Sequence, residues 1–215
     1  FPSHLDLGAL NGANGFVLTG IDGGDWSGRS VSGAGDVNHD GFDDLIIGAY
    51  QANPNNEFQA GESYVVFGGE VFPSHLDLGA LNGANGFVLA GIDASDHSGY
   101  SVSGAGDVNN DGFDDLIIGA YRANGTAGES YVVFGGEVFP SHLDLGALNG
   151  ANGFVLTGID GGDWSGRSVS GAGDVNHDGF DDLIIGAYQA NPNNEFQAGE
   201  SYVVFGGEVF PSHLD

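Results

Sequence analysis

Asp36-Val37-Asn38-His39-Asp40-Gly41-Phe42-Asp43-Asp44 is the stretch on which the reading of this chain turns. It returns as Asp107 to Asp115, with Asn110 in place of His39, and again unchanged as Asp174 to Asp182. Counted from its first residue, oxygen-bearing side chains fall at positions 1, 3, 5 and 9, with glycine at position 6. Alternate oxygens followed by a glycine turn suit a hard cation, because every second residue points at one centre and glycine takes the bend that a side chain would block. The candidate ligands are Asp36, Asn38, Asp40, the main-chain carbonyl of Phe42, and Asp44. Their counterparts are Asp107, Asn109, Asp111, Phe113 and Asp115, then Asp174, Asn176, Asp178, Phe180 and Asp182. The chain has no cysteine and its histidines do not cluster at ligand spacing, so a soft metal is excluded. An EF-hand needs Glu at position 12 and flanking helices, whereas Leu45-Ile46-Ile47 here is an apolar run that reads as a strand. The expectation is a Ca²⁺ loop between two β-strands. An Asx-rich turn without metal is the simpler alternative. Three copies, each crowding several carboxylates, argue against it.

The charge balance agrees. The 215 residues carry 30 acidic side chains against three basic ones, Arg29, Arg122 and Arg167, for a formal charge of -27. Nothing in such a chain can neutralise phosphates, so nucleic acid and an anionic membrane surface are excluded as partners. Self-repulsion of this size works against a compact state unless cations offset it. Glycine is frequent (41 residues), yet 40% of the chain is hydrophobic, enough for a core. Absence of cysteine rules out a disulfide framework without ruling out secretion. No run of about 20 apolar residues is present, so membrane insertion is not expected.

A repeat organises everything else. Phe-Pro-Ser-His-Leu-Asp begins at Phe1, Phe72, Phe139 and Phe210, spacings of 71, 67 and 71 residues. Residues 1–77 and 139–215 are identical. The four-residue difference falls in one place: the stretch Tyr50 to Gly61 shortens to Tyr121 to Gly128, which marks a surface loop. Each repeat offers four strand candidates, in the first copy Gly15–Ile21, Arg29–Val37, Asp44–Tyr50 and Ser63–Gly68. The last two are short, continuously apolar and bounded by Gly and Asn, as strands buried on both faces are. A 3.6-residue period is missing, so long helices are not expected; Leu5–Leu10 has room for one short turn of helix. Four short antiparallel strands per repeat describe a β-propeller blade, and the small-residue strand Arg29–Val37 suits a crowded central axis. A parallel β-helix has much shorter repeats.

The run from Ser27-Gly28 through Gly35-Asp36 to Leu45-Ile46-Ile47-Gly48-Ala49-Tyr50 resembles an FG-GAP repeat of the integrin α-chain propeller type, most closely the bacterial versions in large secreted or surface proteins. The resemblance covers all three repeats. It implies an all-β propeller of four-stranded antiparallel blades and Ca²⁺ at the ligand positions named above. The family's Phe-Gly is Ser27-Gly28 here and its Gly-Ala-Pro is Gly48-Ala49-Tyr50; these changes touch packing and a turn, not the metal ligands. If the family's blade phase holds, residues 1–27 are an orphan outer strand with its linker. Residues 28–98 then form blade one, 99–165 blade two and 166–215 a third blade without its outer strand. An unpaired strand is a template for another chain, and three blades are fewer than the four to eight that close a ring. The expected partners are therefore other copies, or further repeats of a longer parent.

In this topology the metal loops share one face. The opposite face carries Asp22, Asp25, Trp26, Tyr50, Asn53 and Phe58. Aromatics beside acids and amides can hold a sugar ring or a peptide, so Trp26, Trp164, Tyr50 and Phe58 are candidate ligand contacts. Packing of Trp26 and Trp164 between blades is the plainer alternative. His4, His75 and His142 read as a repeated structural turn, and Asp22 with Asp25 as turn residues rather than a hydrolytic pair. Asn124-Gly125-Thr126 is a formal glycosylation sequon. No nucleophile elbow, phosphate loop or zinc motif occurs, so no enzyme is expected. The sequence supports a calcium-binding scaffold or adhesion module outside the cell or on its surface. The alternative is a lectin-like, glycan-binding propeller with sites opposite the calcium loops.

Overall fold

The computed structural model describes residues 4–214; Phe1–Ser3 and Asp215, which belong to the terminal copies of the repeated phrase, lie outside the described residues. Fifteen short strands are arranged in four sheets among these residues.

In the first complete sheet, β2 (Ser30–Gly35), β3 (Asp44–Ala49), β4 (Glu62–Val66) and β6 (Gly86–Ala90) run antiparallel in that order. The second repeats it with β7 (Ser101–Gly106), β8 (Asp115–Ala120), β9 (Glu129–Val133) and β11 (Gly153–Thr157). The third has only β12 (Ser168–Gly173), β13 (Asp182–Ala187) and β14 (Glu200–Val204). Registers are the same in both full blades: Tyr64 faces Val88 as Tyr131 faces Val155. In each innermost strand the register slips before the last glycine, between Gly33 and Gly35 and at its two copies. That irregularity turns Ala34 and Ala105 inward, where each is about 1% exposed.

The fold is the expected all-β one, with a fifth strand that sequence reasoning does not foresee. His75–Asp77 (β5), His142–Asp144 (β10) and His213–Leu214 (β15) are not turns. Each lies parallel on an outer strand: β5 on β1 (Val17–Thr19), β10 on β6 and β15 on β11. The linker from one blade to its own outer strand thus detours over the edge of the blade before it. The β5 and β10 detours each end in one 3-10 turn, Leu78–Ala80 in the first, capped by the side chain of Asp77 accepting from the Gly79 amide at 2.9 Å. Ala123–Thr126 is the single turn of α-helix among the described residues.

The core lies between blades, not within them. One apolar cluster joins Ile46, Val65 and Phe87 of the first blade to Leu116 and Ile118 of the second. Another joins Ile117, Val132 and Phe154 of the second to Leu183 and Ile185 of the third. A smaller one seats the β1–β5 ribbon, through Leu18 and Leu76, on Tyr64 and Val88. Close stacking needs bare backbone at defined points. A side chain at Gly48 or Gly119 would collide with the Gly99 or Gly166 carbonyl of the next blade. Gly48 belongs to the Gly48-Ala49-Tyr50 triplet flagged in the sequence, and this contact explains its glycine.

Candidate functional site

Each nine-residue loop joins the first two strands of its blade, so all three sit at one end of the stack. Their internal geometry is the same three times. The two Asp36 oxygens accept from the amides of Asp40 (3.0 Å) and Gly41 (2.9 Å). Asn38 Oδ1 accepts from the Asp40 amide at 3.1 Å, and its Nδ2 donates to Asp40 Oδ2 at 2.9 Å. Asp40 Oδ1 accepts from the Phe42 amide at 3.0 Å. Residue 4 of the loop is left-handed, at φ 58° for His39, 57° for Asn110 and 60° for His177, and Gly41 follows at 91°. Only these two positions need positive φ, and the glycine takes the one a side chain tolerates least.

Asp44 closes the loop. It is fully buried, and its two oxygens accept from Val37 N (3.0 Å) and Gly68 N (2.7 Å), tying the loop to the end of β4. Asp115 does the same with Val108 and Gly135, and Asp182 with Val175 and Gly206. Burial pushes the Asp44 carboxyl up to about 6, against the two amide bonds that favour its charge; Asp40 and Asp36 nearby add to the rise. The same desolvation pushes Asp115, deeper in the stack, up to about 8.

Among the described residues no three His, Cys, Asp or Glu side chains converge at metal-binding distance. The loop is held by its own amides. Its chemistry nevertheless fits a hard cation: the five candidate ligands of each loop are three carboxylates, an amide oxygen and a carbonyl, with no nitrogen or sulfur donor among the five.

The loops also touch one another, through a residue that sequence reasoning passed over. Asp114, at position 8, reaches back to the preceding blade: its Oδ2 accepts from the Asp36 amide at 2.8 Å, and its own amide donates to the Asp36 carbonyl at 3.3 Å. Asp181 repeats both bonds with Asp107, at 3.0 and 3.2 Å. The signal was present in the sequence. An aspartate at an even loop position cannot point where the odd ones do, yet it stands in all three copies.

At the opposite end the aromatic candidates part company. Tyr50 is buried, edge-on to Trp26, His97 and Tyr100 at 6.0, 5.3 and 5.1 Å. Trp164 is half-buried and wedged against Tyr121 of the blade before it and Tyr188 of its own, at 5.2 and 5.8 Å. Trp26 and Phe58 remain 59% and 63% exposed. Asp25, Asp96 and Asp163 are buried in the turns beneath; burial, with Asp22 close by, raises the Asp25 carboxyl above its ordinary range. Asp96 is pushed up to about 6 by the same desolvation, and His97 down to about 4 by desolvation and the Arg122 charge.

Three segments, residues 27–66, 98–133 and 165–204, match the FG-GAP repeat and together make up more than half of the sequence. The chain belongs to the FG-GAP repeat family. It is 32% identical over 174 residues to integrin alpha-5 of Xenopus laevis and 30% over 182 residues to integrin alpha pat-2 of Caenorhabditis elegans. These alignments take in 75% and 78% of this chain. It is also 31% identical over 109 residues, 51% of the chain, to a phosphatidylinositol-glycan-specific phospholipase D of Rattus norvegicus. The chain spans 14% of each integrin and 12% of the phospholipase. These FG-GAP repeats form propeller-type blades, and no helix among the described residues is long and apolar enough to cross a membrane.

Proposed function

We propose that this chain is a calcium-stabilised, non-enzymatic scaffold or adhesion module that works outside the cell or on its surface. In this reading its open blade edges join further repeats of its own kind, from other copies or from a longer parent. The observation that carries it is the threefold loop: oxygen donors at alternate positions, closed each time by a buried aspartate. Asp36, Asn38, Asp40, the Phe42 carbonyl and Asp44 would hold Ca²⁺ in the first loop, and their counterparts in the others. Four aspartates drawn onto one loop repel one another, and a bound dication offsets that cost. Three such ions would take the formal charge from -27 to -21.

The integrin relatives support an adhesive role. The packing of Tyr50 and Trp164 between blades favours a scaffold over a lectin, since it leaves Trp26 and Phe58 as separate exposed rings. Titration calorimetry on the intact chain tests the reading. Three Ca²⁺ are expected, with Kd about 10⁻⁴–10⁻³ M as for other extracellular modules, and a melting temperature that rises with Ca²⁺. Absence of Ca²⁺ uptake, together with an unchanged melting curve in excess chelator, would overturn it.

A further inference from the structure

The two kinds of repeat differ where they meet. Blades one and three carry the long loop after their second strand, and are approached through Trp26 and Arg29 or their copies Trp164 and Arg167. Blade two carries the short loop and is approached through His97 and Tyr100. The structure therefore contains two junctions, long-to-short and short-to-long, and each is built differently.

At the long-to-short junction, Arg29 Nη2 donates to the Tyr100 hydroxyl at 3.0 Å and its guanidinium lies 4.8 Å from the Tyr100 ring. The long loop receives the approach of blade two on two successive carbonyls, Phe58 from the Ser95 amide and Gln59 from the His97 amide, at 2.8 and 3.2 Å. At the short-to-long junction one carbonyl, Thr126, receives both the Gly162 and the Trp164 amides, at 3.0 and 3.3 Å. Arg167 points back across this junction, 4.6 Å from the Tyr100 ring and 5.1 Å from that of Tyr121. The cavity between Arg29, Tyr100, Arg167 and Tyr188 has no acidic residue in its walls. Tyr100 is thus the neutral, electron-rich face between two arginines, and the alternation of repeat types puts it there.

We propose that these junctions encode blade order, so that the open edge of blade three accepts a short-type repeat and discriminates against a long-type one. This rests on the reading that the blade edges assemble, and narrows it. The edge is the right shape for an outer strand. Glu200–Val204 has the same sequence as Glu62–Val66, which pairs with Gly86–Ala90 of the short-type linker. A short-type partner places a Tyr100 equivalent against Arg167. A long-type partner, such as the Gly15–Arg29 segment of a second copy, places a second arginine there. That trades a phenol acceptor and a cation–π contact for two like charges with no carboxylate between them.

The test uses the full chain with Ca²⁺ and two synthetic peptides, residues 84–102 and residues 13–31, which differ at five positions. Fluorescence anisotropy at physiological salt should show the short-type peptide binding at least about fivefold more tightly, the scale of one partly exposed cation–π contact. Tyr100→Arg in that peptide should remove the advantage. Arg167→Tyr in the chain, a residue blade two already carries at this site, should shift preference toward the long-type peptide. Equal binding by both peptides, or a stable dimer of the chain at micromolar concentration, would overturn the order code while leaving edge assembly standing. Binding by neither would overturn both.

Discussion

Blades two and three share strands two and three residue for residue, yet they are physically different objects. In blade two Ile117 and Val132 are 0% exposed and Phe134 8%. The same residues in blade three, Ile184, Val203 and Phe205, are 38%, 48% and 54% exposed. Blade one shows the converse on its other face: Val31 is 66% exposed where Val102 is 6%. A blade of this family cannot bury its own side chains. Its sheet has two apolar faces, and each is finished by a neighbour, as in other stacked repeats whose stability is a sum of units and interfaces. Burial is thus a property of position in the stack, and energies should follow position too.

The largest expected difference is in the core. Ile117→Ala should cost about 3 kcal/mol and Ile184→Ala about 1 kcal/mol, because only the first leaves a cavity closed on both sides. Urea denaturation of the two variants with Ca²⁺ present decides this; equal costs would mean that blade three is covered in solution. Next comes the link between metal loops. Asp114→Ala strips a bond from the Asp36 amide and should cost about 1–2 kcal/mol. Asp43→Ala, at the loop that meets no preceding blade among the described residues, should stay within about 0.5 kcal/mol. If the two cost the same, position 8 matters inside its own loop rather than between loops.

The smallest effect separates the two junctions by pH. His97 sits in the first junction and its place in the second is taken by Trp164. Burial lowers the His97 pKa to about 4 from an ordinary 6.5, so the folded state holds the ring neutral where the unfolded chain would protonate it. Its contribution is complete above about pH 6.5 and is lost as pH falls toward 4. Asp96 beside it, raised to about 6, runs the other way. Its contribution is complete below about pH 4 and is lost as pH rises through 6. His97→Gln should therefore flatten the acid side of the stability profile without altering the loss between pH 4 and 6 that Asp96 causes. Hydrogen exchange of β6 amides, corrected for intrinsic rates, should show the change, and β11 amides should not.

Much of this was legible in the sequence, and the exceptions have physical reasons. The four antiparallel strands could be read because Leu45-Ile46-Ile47 and Tyr64-Val65-Val66 are apolar on both faces, and the loop because its oxygens alternate. The fifth strand could not. His142-Leu143-Asp144 has no pattern of its own; it is a strand only because Val88–Ala90 lends it a hydrogen-bonding edge. Asp114 was visible but passed over, since its partner lies 78 residues away on another blade. The aromatic face was half read. Residue type marked Tyr50 and Trp26 alike, while burial, which separates them, depends on the next blade.

The short parallel strand has one more consequence, for aggregation. Without it, each finished blade would end in Gly-Phe-Val-Leu, an apolar edge that invites sideways pairing with other sheets. β10 covers that edge of β6 and offers in its place three residues, of which His142 and Asp144 point to solvent. Its own outer rim is too short and too polar to seed a further strand, and a 3-10 turn ends it at once. At a finished blade, new sheet can therefore be added along the stack, where a blade face is open, but not across it. A repeat array built this way can lengthen without acquiring the lateral stickiness of a fibril.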